Sequence, residues 1–101
     1  MDYLDRLSRF VVDTSCDDLS EEAIMAVRNV TLDTVGAIIA GSHESENANF
    51  AQTMSKRSGP GTATILGHGL TAEPMMATLV NSTAGVALEM DEGNRFGGGH
   101  P

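Results

Sequence analysis

Along the chain, apolar positions recur mainly at helical spacing. Tyr3, Leu4, Leu7, Phe10 and Val11 fall three and four apart, which predicts an amphipathic helix over residues 3–14. Asp17-Asp18-Leu19-Ser20 interrupts it. Ser20 is a natural N-cap, and Glu21 and Glu22 suit the positive end of a second helix over residues 21–40. Ile24, Val27, Thr31, Val35 and Ile38 form its main stripe. Residues 34–40 carry no charge, so this half should be buried on more than one side, and Gly41 reads as its stop. Asp33, within this half, reads as a structural carboxylate with satisfied hydrogen bonds.

After a polar connector at 42–46, residues 47–56 predict a shorter third helix with Phe50, Ala51 and Met54 inward. Ser58-Gly59-Pro60-Gly61 is a loop signal. Thr62-Ala63-Thr64-Ile65-Leu66 is the one extended segment the pattern supports. Pro74 suits the first position of a fourth helix, which should run to about Leu88. Its main face would carry Met76, Leu79, Val80, Thr83, Ala87 and Met90. The opposite face offers Ala77, Asn81, Ser82, Ala84 and Gly85, small enough for another backbone to come close. The expected fold class is therefore all-α, mainly helical, with at most one short extended segment near 62–66. Residues 1–101 are expected to be a partial domain. Two helices built for burial on several faces need more cover than four short elements supply, so a longer chain or an oligomer is the expected context.

Composition narrows the function. The chain has 101 residues, 41% hydrophobic, enough for one small domain. Fourteen acidic against six basic residues give a net charge of -8, with Lys56 the single lysine and the arginines scattered. Such a chain has no electrostatic footprint for nucleic acid or an anionic membrane. No stretch approaches the ~20 apolar residues that span a bilayer, and the N-terminus has no signal-like apolar run. The lone Cys16 fits a reducing, cytoplasmic setting and reads as a buried structural thiol. His43 and His68 lie in polar loops and read as solvated.

The candidate chemistry sits in residues 89–101. Glu89, Asp91 and Glu92, then Arg95, three glycines and His100, combine carboxylates and an imidazole that can exchange protons near neutral pH. Arg95 could hold a substrate carboxylate in a bidentate fork. The same residues also fit a solvated helix end, a flexible glycine linker and an artificial terminal addition. Their spacing matches no strong metal signature.

Four segments, in order, resemble the MmgE/PrpD (2-methylcitrate dehydratase) family. They are Leu32-Asp33-Thr34-Val35-Gly36 with Ala40-Gly41, then Ala63-Thr64-Ile65-Leu66-Gly67. Next come Ala77-Thr78-Leu79-Val80-Asn81-Ser82-Thr83-Ala84, and Ala87-Leu88-Glu89-Met90-Asp91-Glu92 with His100-Pro101. The resemblance implies the N-terminal part of a helical domain in a homodimeric lyase or isomerase acting on a small di- or tricarboxylic acid. No cofactor and no metal are implied. It also implies His100, Asp91 and Glu92 as catalytic residues, with Arg95 and Glu89 contacting substrate. The chain departs from many members in having Glu89 for aspartate and Gly93 for threonine, which leaves the substrate open. The 101 residues alone are expected to be inactive. The competing expectation is a non-catalytic helical association module.

Overall fold

A computed structural model of the chain describes residues 2–91 together with Gly93 and Gly97. The elements run α1 (Tyr3–Asp13), one 3-10 turn (Cys16–Asp18), α2 (Glu21–Ser42), α3 (Ser45–Ser58), β1 (Ala63–Ile65), β2 (Leu70–Ala72) and α4 (Pro74–Val86). The mainly helical class read from the sequence holds. The chain forms two compact units, residues 1–30 and 31–101.

In the first unit, Asp2 caps α1 by accepting the Tyr3 N–H at 2.6 Å. The 3-10 turn is closed by Asp18, whose Oδ2 accepts both the backbone N–H (2.8 Å) and the hydroxyl (2.7 Å) of Ser15. Those two bonds, the backbone one foremost, hold the Asp18 carboxyl below its ordinary range. Cys16 is exposed, against the buried thiol expected, because it sits in a short 3-10 turn that contains no buried residue. The predicted cap of α2 is in place: Ser20 Oγ accepts the Ala23 N–H at 3.1 Å. The apolar stripe of α1 lies open, with Leu4 and Phe10 each 64% exposed.

The second unit holds the core. β1 and β2 pair antiparallel with Ala63 opposite Ala72, Thr64 opposite Thr71 and Ile65 opposite Leu70. The threonines face out, while Ile65 and Ala72 are buried with Ala51 of α3 and Ala77 and Val80 of α4. Phe50, Met54, Leu70 and Met76 pack around this cluster. Side chains then sew the hairpin to both helices. Ser55 Oγ donates to the Thr71 carbonyl at 2.8 Å, and Ser58 Oγ accepts the Glu73 N–H at 2.7 Å. From α4, Asn81 accepts the Leu66 N–H and donates to the Thr64 carbonyl, both at 3.0 Å. Pro74 opens α4 as predicted. Glu73 caps it, its carboxylate accepting from Met75 and Met76 at 3.0 and 3.2 Å.

Further expectations change. Gly41 does not end α2, which continues to Ser42. Gly41 is buried there because a Cβ at this position would run into the Ala84 carbonyl of α4. This is the close approach that the small residues of α4 foreshadow. The inward face of α4 is accordingly Ala77, Val80 and Ala84, while Leu79 is half-exposed. The apolar half of α2 is also not enclosed: Ala37 and Gly41 are buried, but Leu32 is 74% exposed and Asp33 lies at the surface. Finally, α2 with its 22 residues is long and apolar enough, by length and composition, to cross a membrane. Arg28 and Asp33 oppose that use, since each charge near a membrane helix centre costs ~2.5–3.5 kcal/mol. Ala37, Gly41 and Ser42 at its C-terminal end are buried, while only 6% of its apolar window as a whole is buried.

Candidate functional site at the exit of alpha 4

The acidic segment begins where α4 runs out. The helix tightens in its last turn: the Ala87 N–H bonds the Ala84 carbonyl at 3.3 Å and the Glu89 N–H bonds the Val86 carbonyl at 3.2 Å. Such i to i−3 bonds satisfy carbonyls left open at a helix end. Glu89 then takes φ +51, in the left-handed region that side-chain-bearing residues seldom adopt. The chain turns sharply there. Glu89 and Met90 are exposed, and Asp91 is half-buried. Of the five candidate residues, these observations cover Glu89 and Asp91. Glu92, Arg95 and His100 lie outside the described residues.

Beside this exit is a depression of about 510 Å³ lined by Glu44, Ser45, Glu46, Asn47, Thr83 and Ala87. It lies between the start of α3 and the end of α4, with Ala87 two positions before Glu89. The local sequence explains its form. The connector between α2 and α3 is only His43 and Glu44, shorter than the stretch 42–46 read as polar. Asn47 braces it by donating to the Gly41 carbonyl at 2.8 Å. Glu44 stands at the N-cap of α3 without a side-chain capping bond. Two lining carboxylates, Glu44 and Glu46, make the depression acidic. A polyanionic substrate would need cationic groups beside them to bind there.

The other two histidines are not simply solvated. His68 is half-buried in the hairpin turn, and its Nε2 lies 2.9 Å from the Ser42 carbonyl at the end of α2. A carbonyl only accepts, so Nε2 carries a proton, and in the neutral ring Nδ1 holds the lone pair. The His43 ring lies 5.6 Å from the His68 ring, centre to centre, tilted by 49°. Gly67 makes this docking feasible. Its φ is +85, and a Cβ there would strike Ser42 Oγ, which itself donates to the Ile39 carbonyl at 2.7 Å. Sequence reasoning noticed Gly67-His68-Gly69 but not its partner, because Ser42 is 26 residues away. It also missed the clamp made by Asn81, whose only signal was an amide on a helix otherwise lined with small and apolar groups. Among the described residues, no group of three or more His, Cys, Asp or Glu side chains is placed to hold a metal.

These features define a mainly helical domain in which a short hairpin is clasped between two helices and an acidic segment leaves the last helix. Residues 5–101 match the family model of the MmgE/PrpD N-terminal domain, and the chain belongs to that family. No curated protein and no solved structure matches the chain.

Proposed function

We propose that this domain contributes to a 2-methylcitrate dehydratase-like lyase or isomerase that moves or removes a proton next to a carboxylate of a small di- or tricarboxylic acid. The observation that carries the reading is the exit of α4, where a left-handed Glu89 leads to a half-buried Asp91 inside the family-matched stretch. In the dehydratase form, a base takes the hydrogen from the carbon beside the carboxylate. The electron pair becomes a carbon–carbon double bond, and the neighbouring hydroxyl leaves as water with a proton from the acid. His100 is that acid or base, Asp91 orients and polarises it, and Glu92 supports both. Arg95 and Glu89 contact the substrate. The chemistry needs no cofactor and no metal. The working assembly is a cytoplasmic homodimer that binds neither nucleic acid nor membrane.

Isolated, the 101 residues are inactive on this reading. Their charge is -8, the depression at the exit of α4 is acidic, and the substrate is a polyanion. The cationic groups that hold it must come largely from elsewhere in the assembly. The test follows deuterium uptake from D2O into 2-methylcitrate and related acids, with the chain alone and with an intact enzyme carrying this domain. Exchange by the intact enzyme, lowered ~10²–10⁴-fold by His100→Ala, is the expected result. Full activity of His100→Ala, or turnover by the chain alone at an enzymatic rate, overturns it.

The open apolar faces favour one second reading, a non-catalytic helical association module. It gains if the chain alone sediments as a stable, well-folded oligomer and no intact form exchanges substrate protons.

A further inference from the structure

We propose that His43 and His68 form a binding site for a divalent transition cation of the imidazole-seeking class, Cu²⁺, Ni²⁺ or Zn²⁺, at the C-terminal end of α2. Three independent features point there. The first is the hydrogen bond from His68 Nε2 to the Ser42 carbonyl, 2.9 Å long. A metal-binding histidine characteristically gives its other N–H to such an acceptor, which fixes the ring and raises the basicity of the free nitrogen. In the neutral ring this leaves Nδ1 of His68 as the nitrogen that can bind a cation.

The second is the neighbouring ring. Nitrogen ligands stand ~2.1 Å from such a cation, which sets the ring centres of a tetrahedral pair about 5–5.5 Å apart. The observed 5.6 Å is close to this, and His43 is exposed, so rotation of its side chain closes the difference. The third is electrostatic. The negative pole of a 22-residue helix emerges at this point, and its last turn carries no basic side chain to neutralise it. A bound cation would do so.

The site is also pre-arranged. The turn that bears His68 is tied to α4 through the Leu66 N–H and Asn81 Oδ1, and the left-handed Gly67 seats it on Ser42. No third His, Cys, Asp or Glu completes a set among the described residues, so water fills the remaining coordination positions. That combination gives an exchangeable site ordered by the Irving–Williams series, with Cu²⁺ bound most tightly and Mg²⁺ ignored. The proposal uses none of the residues assigned to the acidic segment after α4 and does not depend on the dehydratase-like reading.

The experiment titrates the full chain with copper(II), nickel(II) and magnesium chlorides, reading heat of binding and the copper electron-paramagnetic signal. One copper per chain is expected, with splitting from nitrogen ligands, weaker nickel binding and no magnesium binding. His43→Ala and His68→Ala should each weaken copper binding by about tenfold or more, while His100→Ala leaves it unchanged. His43 is exposed, so its removal leaves the core intact. For His68, the substitution His68→Asn retains a donor toward Ser42 and guards against simple unfolding, which circular dichroism checks. Absence of copper binding overturns the proposal. So does binding that survives loss of His43 and His68, or that disappears with His100.

Discussion

The side-chain oxygen of Asn81 lies 3.0 Å from the backbone nitrogen of Leu66, while the nitrogen of the same amide reaches the Thr64 carbonyl at the same distance. One side chain on α4 thus serves β1 as a further strand would, filling a donor and an acceptor two residues apart. Asn81→Ala strands the Leu66 N–H, and a half-buried donor without a partner costs ~1–3 kcal/mol. Asn81→Asp keeps the acceptor but sets a carboxylate against the Thr64 carbonyl, so it should rescue only part of the loss. Urea unfolding of the three proteins checks the order wild type, Asp, Ala.

Gly41 and Gly36 lie five residues apart in α2, yet alanine should act oppositely at the two. At Gly36 an added Cβ meets nothing within 4 Å, so Gly36→Ala gains ~0.5–1 kcal/mol from helix propensity. At Gly41 the Cβ would enter the Ala84 carbonyl, and Gly41→Ala should lose ~1–3 kcal/mol as α2 is pushed from α4. Equal shifts in melting temperature for both variants would contradict the close approach.

Asp18 supplies a pH dependence whose sign is fixed. Its folded carboxyl is held below the ordinary range, mainly by the Ser15 backbone N–H and then by the Ser15 hydroxyl. The folded turn therefore binds its proton less readily than the unfolded chain does. Its stabilisation is complete above the ordinary carboxylate range and is lost as pH falls through the depressed folded value. The Ser15 amide resonance, followed into acid, should move with that titration, and Asp18→Asn should abolish the movement.

Ile65 is the largest side chain fully buried in the described structure, at 1% exposure. Ile65→Ala should cost ~2–5 kcal/mol through lost burial and the cavity left behind. By contrast, Phe10→Ser on the open face of α1 should change the stability of the isolated chain by no more than ~0.5 kcal/mol. A large loss for Phe10→Ser in the isolated chain would mean that α1 is covered by self-association, which sedimentation at two concentrations would detect.

Local chemistry made much of the fold legible. Ser20 followed by two glutamates marks the start of α2, and Pro74 marks that of α4, because capping depends on neighbours in sequence. The inward set on α3, Phe50, Ala51 and Met54, also follows from spacing alone. Strand β2 was not legible. Leu70-Thr71-Ala72 is short and becomes a strand through its pairing with β1 and the Ser55 bond, which are tertiary facts. Gly41 was misread as a stop because a glycine that ends a helix and one that admits a neighbour look alike in sequence. For the candidate site, the sequence supplied the acidic run, and the structure added the left-handed bend at Glu89 and the half-burial of Asp91. Glu92, Arg95 and His100 lie outside the described residues and rest on the resemblance of the sequence alone.

The stitches around the hairpin have a kinetic consequence. Ser55 to Thr71, Ser58 to Glu73, and Leu66 and Thr64 to Asn81 join residues only 15 to 17 apart along the chain. Closing such short loops costs little entropy and takes well under a millisecond. α3, the hairpin and α4 should therefore condense as the nucleus, with α2 docking afterwards through Gly41. On that pathway Asn81→Ala slows refolding, whereas Gly41→Ala chiefly hastens unfolding, and stopped-flow measurements on the two variants separate those limbs.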